Sequence, residues 1–437
     1  MRELLLYASL PFIFLLGLKK PFWCLVIYLA ANILRPEMFF WGGYTGAIIF
    51  RVSIGGALLG YLMSGEKVLA PLGRRELWLL IWFWLAVVAS ITYSEFPLSH
   101  KTWYYAEEIL KLVIVGWLIL GLVKDSYHLR KLMNVLLIVS SLLALWGWDQ
   151  SFRGNVRLEG LGGQAFGDSN GVAAFGVLFF PLALHKLLTS TERWDRMFGL
   201  ASTVLIGMLV VFTQSRGGFL GLLAGTGYLF CLTPRKKQMF IGMALLVTLA
   251  SPFIANSYLV RISTISLDQE KRDLSAGSRP VLWQAGIHIF LDNPIFGVGL
   301  LNYKWAKMPY KETLRGKVDD DLLNYTFQEY KVGHSTWFCQ LLAEGGLFLT
   351  IPYLWLVFGF FFSARRLRRM KIEFDKDLKL LYLLFGLEAG IFGYCVSISF
   401  IDALMVIFFP IHLILGMQII RLLQQGTQPK LASAHKI

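Results

Sequence analysis

Apolar residues in this chain gather into thirteen runs, at about 4–18, 21–34, 44–63, 76–93, 103–123, 131–150, 169–189, 197–214, 217–232, 238–255, 335–363, 378–398 and 402–421. Most are about 15 to 25 residues long, the length that carries a helix across hydrocarbon. They do not alternate with period two, so helices rather than barrel strands must satisfy the backbone in lipid. The pattern predicts an all-α polytopic membrane protein, a bundle of about 12–13 transmembrane helices. The first two runs are short and separated by Lys19-Lys20-Pro21, which leaves the count between those two numbers. Residues 4–18 lack a basic lead and a small-residue cleavage site, and are expected to stay as a membrane segment.

One sizeable polar stretch interrupts the runs. It divides the chain into an N-terminal transmembrane bundle (1–255), a long loop with an amphipathic helix (256–334), and C-terminal transmembrane helices with a tail (335–437). The loop holds ten Lys/Arg and nine Asp/Glu and is nearly neutral. Within it Val281, Leu282, Ala285 and Ile289 recur at helical spacing, with Trp283 and Phe290 widening the face. This predicts a helix over 279–291 with Ser278 as N-cap, lying at the membrane surface and stopped by Asp292-Asn293-Pro294. Gly297-Val298-Gly299 is expected to form a flexible corner.

Composition agrees with the pattern. The chain has 437 residues, 56% hydrophobic and only 16% charged, so a soluble globular protein is excluded. The net charge of +14 in a soluble protein would raise nucleic-acid binding. Here the cations cluster in short loops, around Lys67, Arg74 and Arg75, Lys124, Arg130 and Lys131, Lys186, Arg193 and Arg196, Arg235 to Lys237, and Arg365 to Lys371. Those loops should face the cytoplasm, and no nucleic-acid partner is expected. The alternate loops, near 94–101, 151–168, 214–218, 256–334 and 399–402, then face the non-cytoplasmic side. The N-terminus is outside with thirteen spans and inside with twelve. The four cysteines lie in or near apolar runs without metal-like spacing and read as small buried hydrophobes.

Three candidate chemical residues fall on the outer side by this rule, which used no chemistry of theirs. Arg216 sits in Thr213-Gln214-Ser215-Arg216-Gly217-Gly218, where glycines permit close approach and the next run opens a helix whose N–H groups favour anions. Arg279 sits in Ser278-Arg279-Pro280. Two guanidinium forks suit a diphosphate. His334, in His334-Ser335-Thr336-Trp337, titrates near neutral pH. Asn170, Arg153, Arg157 and Glu344 are possible supporting residues. Glu344 is ten residues past His334, on the same face of a helix about 15 Å deeper, and reads first as an interhelical hydrogen-bond partner. The bland alternatives are a snorkelling arginine, a solvated loop arginine and a capping histidine. Asp319-Asp320-Asp321 reads as a solvated loop, and no metal site is expected. Arg51, Glu107, Glu108 and Glu388, in or beside apolar runs, are expected to pair within the bundle.

At these residues the chain resembles the O-antigen ligase family. The resemblance is carried by Phe212 to Gly218, Ser278 to Trp283, Asn293 to Gly299, and His334 to Gly346, and covers mainly 165–360. The first 150 residues are similar to the N-terminal part of putative O-glycosylation ligases. The resemblance implies a fold like the GT-C class of glycosyltransferases, in the bacterial inner membrane with its site facing the periplasm. It implies an undecaprenyl-diphosphate-linked glycan as donor, a lipid A–core sugar as acceptor, and no cofactor or metal. Arg216 and Arg279 would hold the diphosphate, and His334 would act on the acceptor hydroxyl. Alternatives with the same donor are a protein O-glycan ligase and an O-antigen polymerase. A transporter or flippase would call for repeated halves with broken helices, and no repeat is visible.

Overall fold

The computed structural model describes residues 2–36, 47–65, 67–96, 100–161, 166–251, 259, 262–263, 273–328, 333, 335–369, 378–404 and 406–425. Each of the thirteen apolar runs forms a helix. Ten come first: α1 (Arg2–Lys19), α2 (Pro21–Leu34), α3 (Ala47–Met63), α4 (Arg75–Thr92), α5 (His100–Leu122), α6 (Ser126–Phe152), α7 (Ser169–Thr189), α8 (Arg193–Phe212), α9 (Arg216–Leu232) and α10 (Lys236–Ala250). The polar stretch contributes α11 (Leu274–Asp292) and three short helices, α12 (Tyr303–Ala306), α13 (Tyr310–Leu314) and α14 (Asp320–Thr326). A π-helix, Thr336–Glu344, then leads into α15 (Gly346–Arg369), α16 (Leu378–Ser397) and α17 (Phe408–Gln425). No strand occurs among the described residues.

Among the described residues six helices are long and apolar enough to cross a membrane: α4, α6, α7, α8, α15 and α16. The chain is therefore an all-α polytopic membrane protein. The helix most enclosed by its neighbours is α7, with 89% of its apolar window buried. It forms the hub against which α8, α9 and α16 pack.

Lipid offers little hydrophobic drive for helix association, so close packing through small residues matters. Gly221 and Gly225 place one face of α9 on α16. A Cβ at Gly221 would stand 2.7 Å from the Gly393 carbonyl oxygen, and one at Gly393 would stand 2.6 Å from the Gly221 oxygen. Gly390 lies as tightly on α7, where a Cβ would come 2.2 Å from the Leu178 oxygen. The same device joins the short helices. Gly56 and Gly60 of α3 meet Gly17 of α1, where an added Cβ would be 2.5 Å from the Gly56 carbonyl carbon.

Four expectations are corrected. The run 335–363 is two elements, because Gly346 takes φ +62 and separates the π-helix from α15. Helix α11 begins five residues before Arg279, with Asp273 rather than Ser278 as its N-cap. Its apolar face lies on protein, not on the membrane surface: Leu282 and Ile289 pack with Cys339 and Ala343, and Val281 and Ala285 with Leu314, Leu323 and Phe327. The glycine corner is pinned. Val298 and Gly299 donate their N–H groups to the carbonyls of Ala343 (3.0 Å) and Glu344 (3.0 Å).

Replacing Gly393 by Leu should separate α9 from α16 and cost about 1–3 kcal/mol or more by overpacking. Thermal unfolding in detergent checks this. A melting temperature equal to that of the unsubstituted protein would show that the contact carries no weight.

Candidate functional site

Three helix starts converge at one end of the bundle. Ser215 caps α9, accepting the Gly218 N–H at 3.2 Å, and its hydroxyl donates to Asn170 Oδ1 at 2.8 Å. Asn170 is in the first turn of α7, which Asp168 caps through the Gly171 N–H at 2.6 Å. Asp273 caps α11 through the Ala276 N–H at 2.6 Å. Its second carboxylate oxygen takes a 2.7 Å bond from Arg216 Nη1. The backbone strain here is at Gln214, φ +50, whose side chain donates to the Val156 carbonyl at 3.1 Å.

The α16–α17 connection closes the cluster. It lies against the start of α9, where a Cβ on Gly217 would be 3.2 Å from Ile401 and 3.3 Å from Phe400. It also straps the start of the π-helix. Ser335 donates its N–H to Asp402 Oδ1 at 3.1 Å, and the Thr336 hydroxyl donates to the Ile401 carbonyl (3.0 Å) while accepting the Ala403 N–H (2.9 Å). Trp283 of α11 stacks on Phe338, with centroids 5.4 Å apart, and tilts on Phe400 at 5.8 Å.

The structure brings Arg216 and Arg279 to this one end. Arg216 is not an open rim arginine as expected: it is buried, 3% exposed, with its ion pair to Asp273. Arg279 is half-buried one turn before Trp283, and its charge acts on Asp402. Asn170 joins through Ser215. Arg157 joins through a 2.9 Å bond to the Ser169 hydroxyl, and also pairs with Glu159 at 3.2 Å. Arg153 does not join: it is exposed and pairs with Asp149, one turn back on α6, at 2.7 Å. His334 lies outside the described residues; its neighbour Ser335 is the residue that Asp402 holds. Asp319 simply caps α14, accepting the N–H groups of Asp321 (3.0 Å) and Leu322 (3.1 Å).

Glu344 ends the π-helix outside the span of α15. It is buried, and its Oε1 accepts the Tyr303 N–H at 3.1 Å, which starts α12. This matches the hydrogen-bonding role read for it, though the partner is a loop helix rather than a span. Burial raises its carboxyl to about 8, against the Tyr303 and Leu301 N–H groups that lower it. Asp402, in the connection between spans, is held well above the usual carboxylate range. Burial is the first cause and the nearby Glu344 the second, with Asp168 adding to it and the Ser335 N–H and Arg279 opposing. At neutral pH burial favours the protonated form of Glu344, and it shifts Asp402 in the same direction. Two guanidiniums beside converging helix starts suit an anionic group bearing several oxygens.

Asp273 and Asp402 escaped the sequence reading. Each had a signal. Asp273 is an acid standing before a helical run, and Asp402 is a lone acid in an apolar connection, where a charge is costly unless used.

A helical membrane bundle with a cation-bearing cluster where three helix starts meet is thus the class of protein defined here. Residues 201–354, the segment containing Arg216, Arg279 and Glu344, match the family model described as O-Antigen ligase. Residues 1–152 match a family of unknown function, DUF5935. No curated protein matches the chain.

Glu344 binds a proton more tightly folded than unfolded, so its contribution is full below about pH 4.5 and is lost as pH rises through about 8. Glu344→Gln keeps the acceptor for Tyr303 and removes that slope. Melting measured from pH 5 to pH 9 should show the unsubstituted protein falling behind the variant by about 1–3 kcal/mol. Parallel curves would mean that Glu344 is ionised in the fold.

Proposed function

We propose that this protein transfers a glycan from undecaprenyl diphosphate to a sugar hydroxyl of lipid A–core, on the periplasmic face of a bacterial inner membrane. The observation that carries the reading is the O-antigen ligase match over a segment whose two motif arginines the fold brings to one end. Helix direction supports the orientation. Helix α9 runs from Arg216 toward the basic Arg235–Lys237 segment, α15 ends in Arg365, Arg366, Arg368 and Arg369, and α16 runs back to the Asp402 connection. The site end is thus opposite the basic loops, which the charge rule assigns to the cytoplasm.

In this reading Arg279 and Arg216 bind the donor diphosphate and neutralise the charge that develops as the sugar–phosphate bond breaks. The diphosphate is a leaving group already, so two guanidiniums supply what a metal ion otherwise would. His334 takes the proton from the acceptor hydroxyl, or orients it, for attack on the anomeric carbon. Direct displacement inverts that centre. Confining both lipid-borne substrates to one membrane lowers the entropic cost of their meeting.

Arg279→Ala and His334→Ala should each lower transfer by about 10²-fold or more, with membrane insertion intact. An assay with purified polyprenyl-diphosphate glycan and lipid A–core reads this; near-normal product from either variant would refute the assigned roles. Labelled product on a protein or on a growing glycan, in place of lipid A–core, would replace the acceptor and keep the donor. EDTA is expected to leave the rate unchanged. Loss of transfer restored by a divalent ion would require a metal.

A further inference from the structure

The opposite end of the bundle, that of the basic loops, holds a cavity of about 650 Å³ between the starts of α6 and α16 and the end of α7. Five cations line it: Arg130, Lys131, Lys186, Arg235 and Lys379. One lining carboxylate, Asp195, is taken by Lys186 at 2.8 Å, and Lys379 reaches Glu192 only at 3.5 Å. Arg235 donates to the Leu188 carbonyl, and Lys131 rests 5.6 Å over the Tyr127 ring. Three positive charges, those of Arg130, Lys131 and Arg235, thus face the cavity without a carboxylate among the described residues. Deeper in, Leu182, Tyr382 and Leu383 give the wall an apolar part, and Asn134 and Thr189 add hydrogen-bonding groups.

Orientation of the chain by charge needs cations near span ends but does not require them to converge. Arg193 and Lys237 show the difference: they are exposed at the same end and do not line the cavity. A polar cationic mouth above an apolar wall, at the level where spans end, fits a phosphate headgroup with the first methylenes of its acyl chains. We propose that this cavity binds an anionic phospholipid of the adjacent leaflet and ties α6, α7 and α16 together there. The site is separate from the Arg216 cluster and does not depend on the function assigned to it.

The test uses the full chain, delipidated in a neutral detergent, with melting followed as lipid is added. Phosphatidylglycerol or cardiolipin should raise the melting temperature by several degrees, because a ligand of the folded state stabilises it in proportion to its occupancy. Phosphatidylcholine and inorganic diphosphate should not. The double variant Arg130→Gln/Lys131→Gln should lose at least half of the rise. Arg193→Gln/Lys237→Gln, which removes the same charge outside the cavity, should keep it. Equal rises in both double variants would reduce the effect to diffuse charge and overturn the site. An equal rise with inorganic diphosphate would overturn its assignment to a lipid. If Arg130→Gln/Lys131→Gln melts lower without lipid, native mass spectrometry of bound phosphatidylglycerol decides instead, and undiminished retention by that variant overturns the proposal.

Discussion

A guanidinium withdrawn from water governs the site end of this protein. Arg216 is almost wholly buried, and an uncompensated charge in such a place costs several kcal/mol (roughly 3–5 on removal of a partner). Asp273 supplies the counter-charge at 2.7 Å and with its other oxygen caps α11. One carboxylate therefore performs two tasks. It settles the buried cation, and it fixes where the first turn of α11 begins. Arg279, five residues on, is carried about 7.5 Å along that helix from its start. The spacing between the two motif arginines is thus a consequence of an ion pair and a cap.

The height of Arg216 in the bundle is set by packing. Its helix presents Gly217, Gly218, Gly221 and Gly225 to its neighbours, and an added Cβ at Gly218 would stand 2.5 Å from Ala173 Cβ of α7. Residues 217, 221 and 225 share one face, since four residues advance a helix by just over a turn. With no side chains between the backbones, α9 has little freedom to slide on α16. The connection after α16 is then held against Gly217, and that connection carries Asp402. Helix packing and site assembly are here the same set of contacts.

Membrane spans were legible in the sequence because their physics is one-dimensional: a run of apolar residues of the right length must be helical, and among the described residues every run is, with 335–363 split in two. The two arginines were legible for a related reason, since a charge beside lipid stands out against its neighbours. Contacts between distant segments were not. Asp273 and Asp402 are ordinary acids until the fold sets one on Arg216 and the other on Ser335. The break at Gly345-Gly346 was hidden because an apolar run continues through it, and hydropathy cannot distinguish a straight helix from two joined by a left-handed residue. The apolar stripe of α11 was read correctly as a stripe. Its partner was misassigned, because a stripe says that something apolar covers it and not whether that is lipid or the π-helix.

The two ends of the bundle put acids to partly different uses. Toward the basic loops, acids meet cations: Glu388 of α16 takes Arg368 and the Tyr228 hydroxyl (2.7 Å), and Glu76 of α4 takes Arg421 of α17. The first pair joins the consecutive helices α15 and α16, the second joins helices through residues 345 apart in the chain, and each leaves its two charges matched. At the site end Asp273 also meets a cation, Arg216, but burial raises the proton affinity of Glu344 and Asp402, and Glu344 raises that of Asp402 further. A neutral acid still accepts a hydrogen bond, so Glu344 orders α12 and Asp402 orders Ser335 without adding negative charge. Burial favours the neutral form of both, so they act as scaffolding with less negative charge beside the arginines than ionised acids would bring.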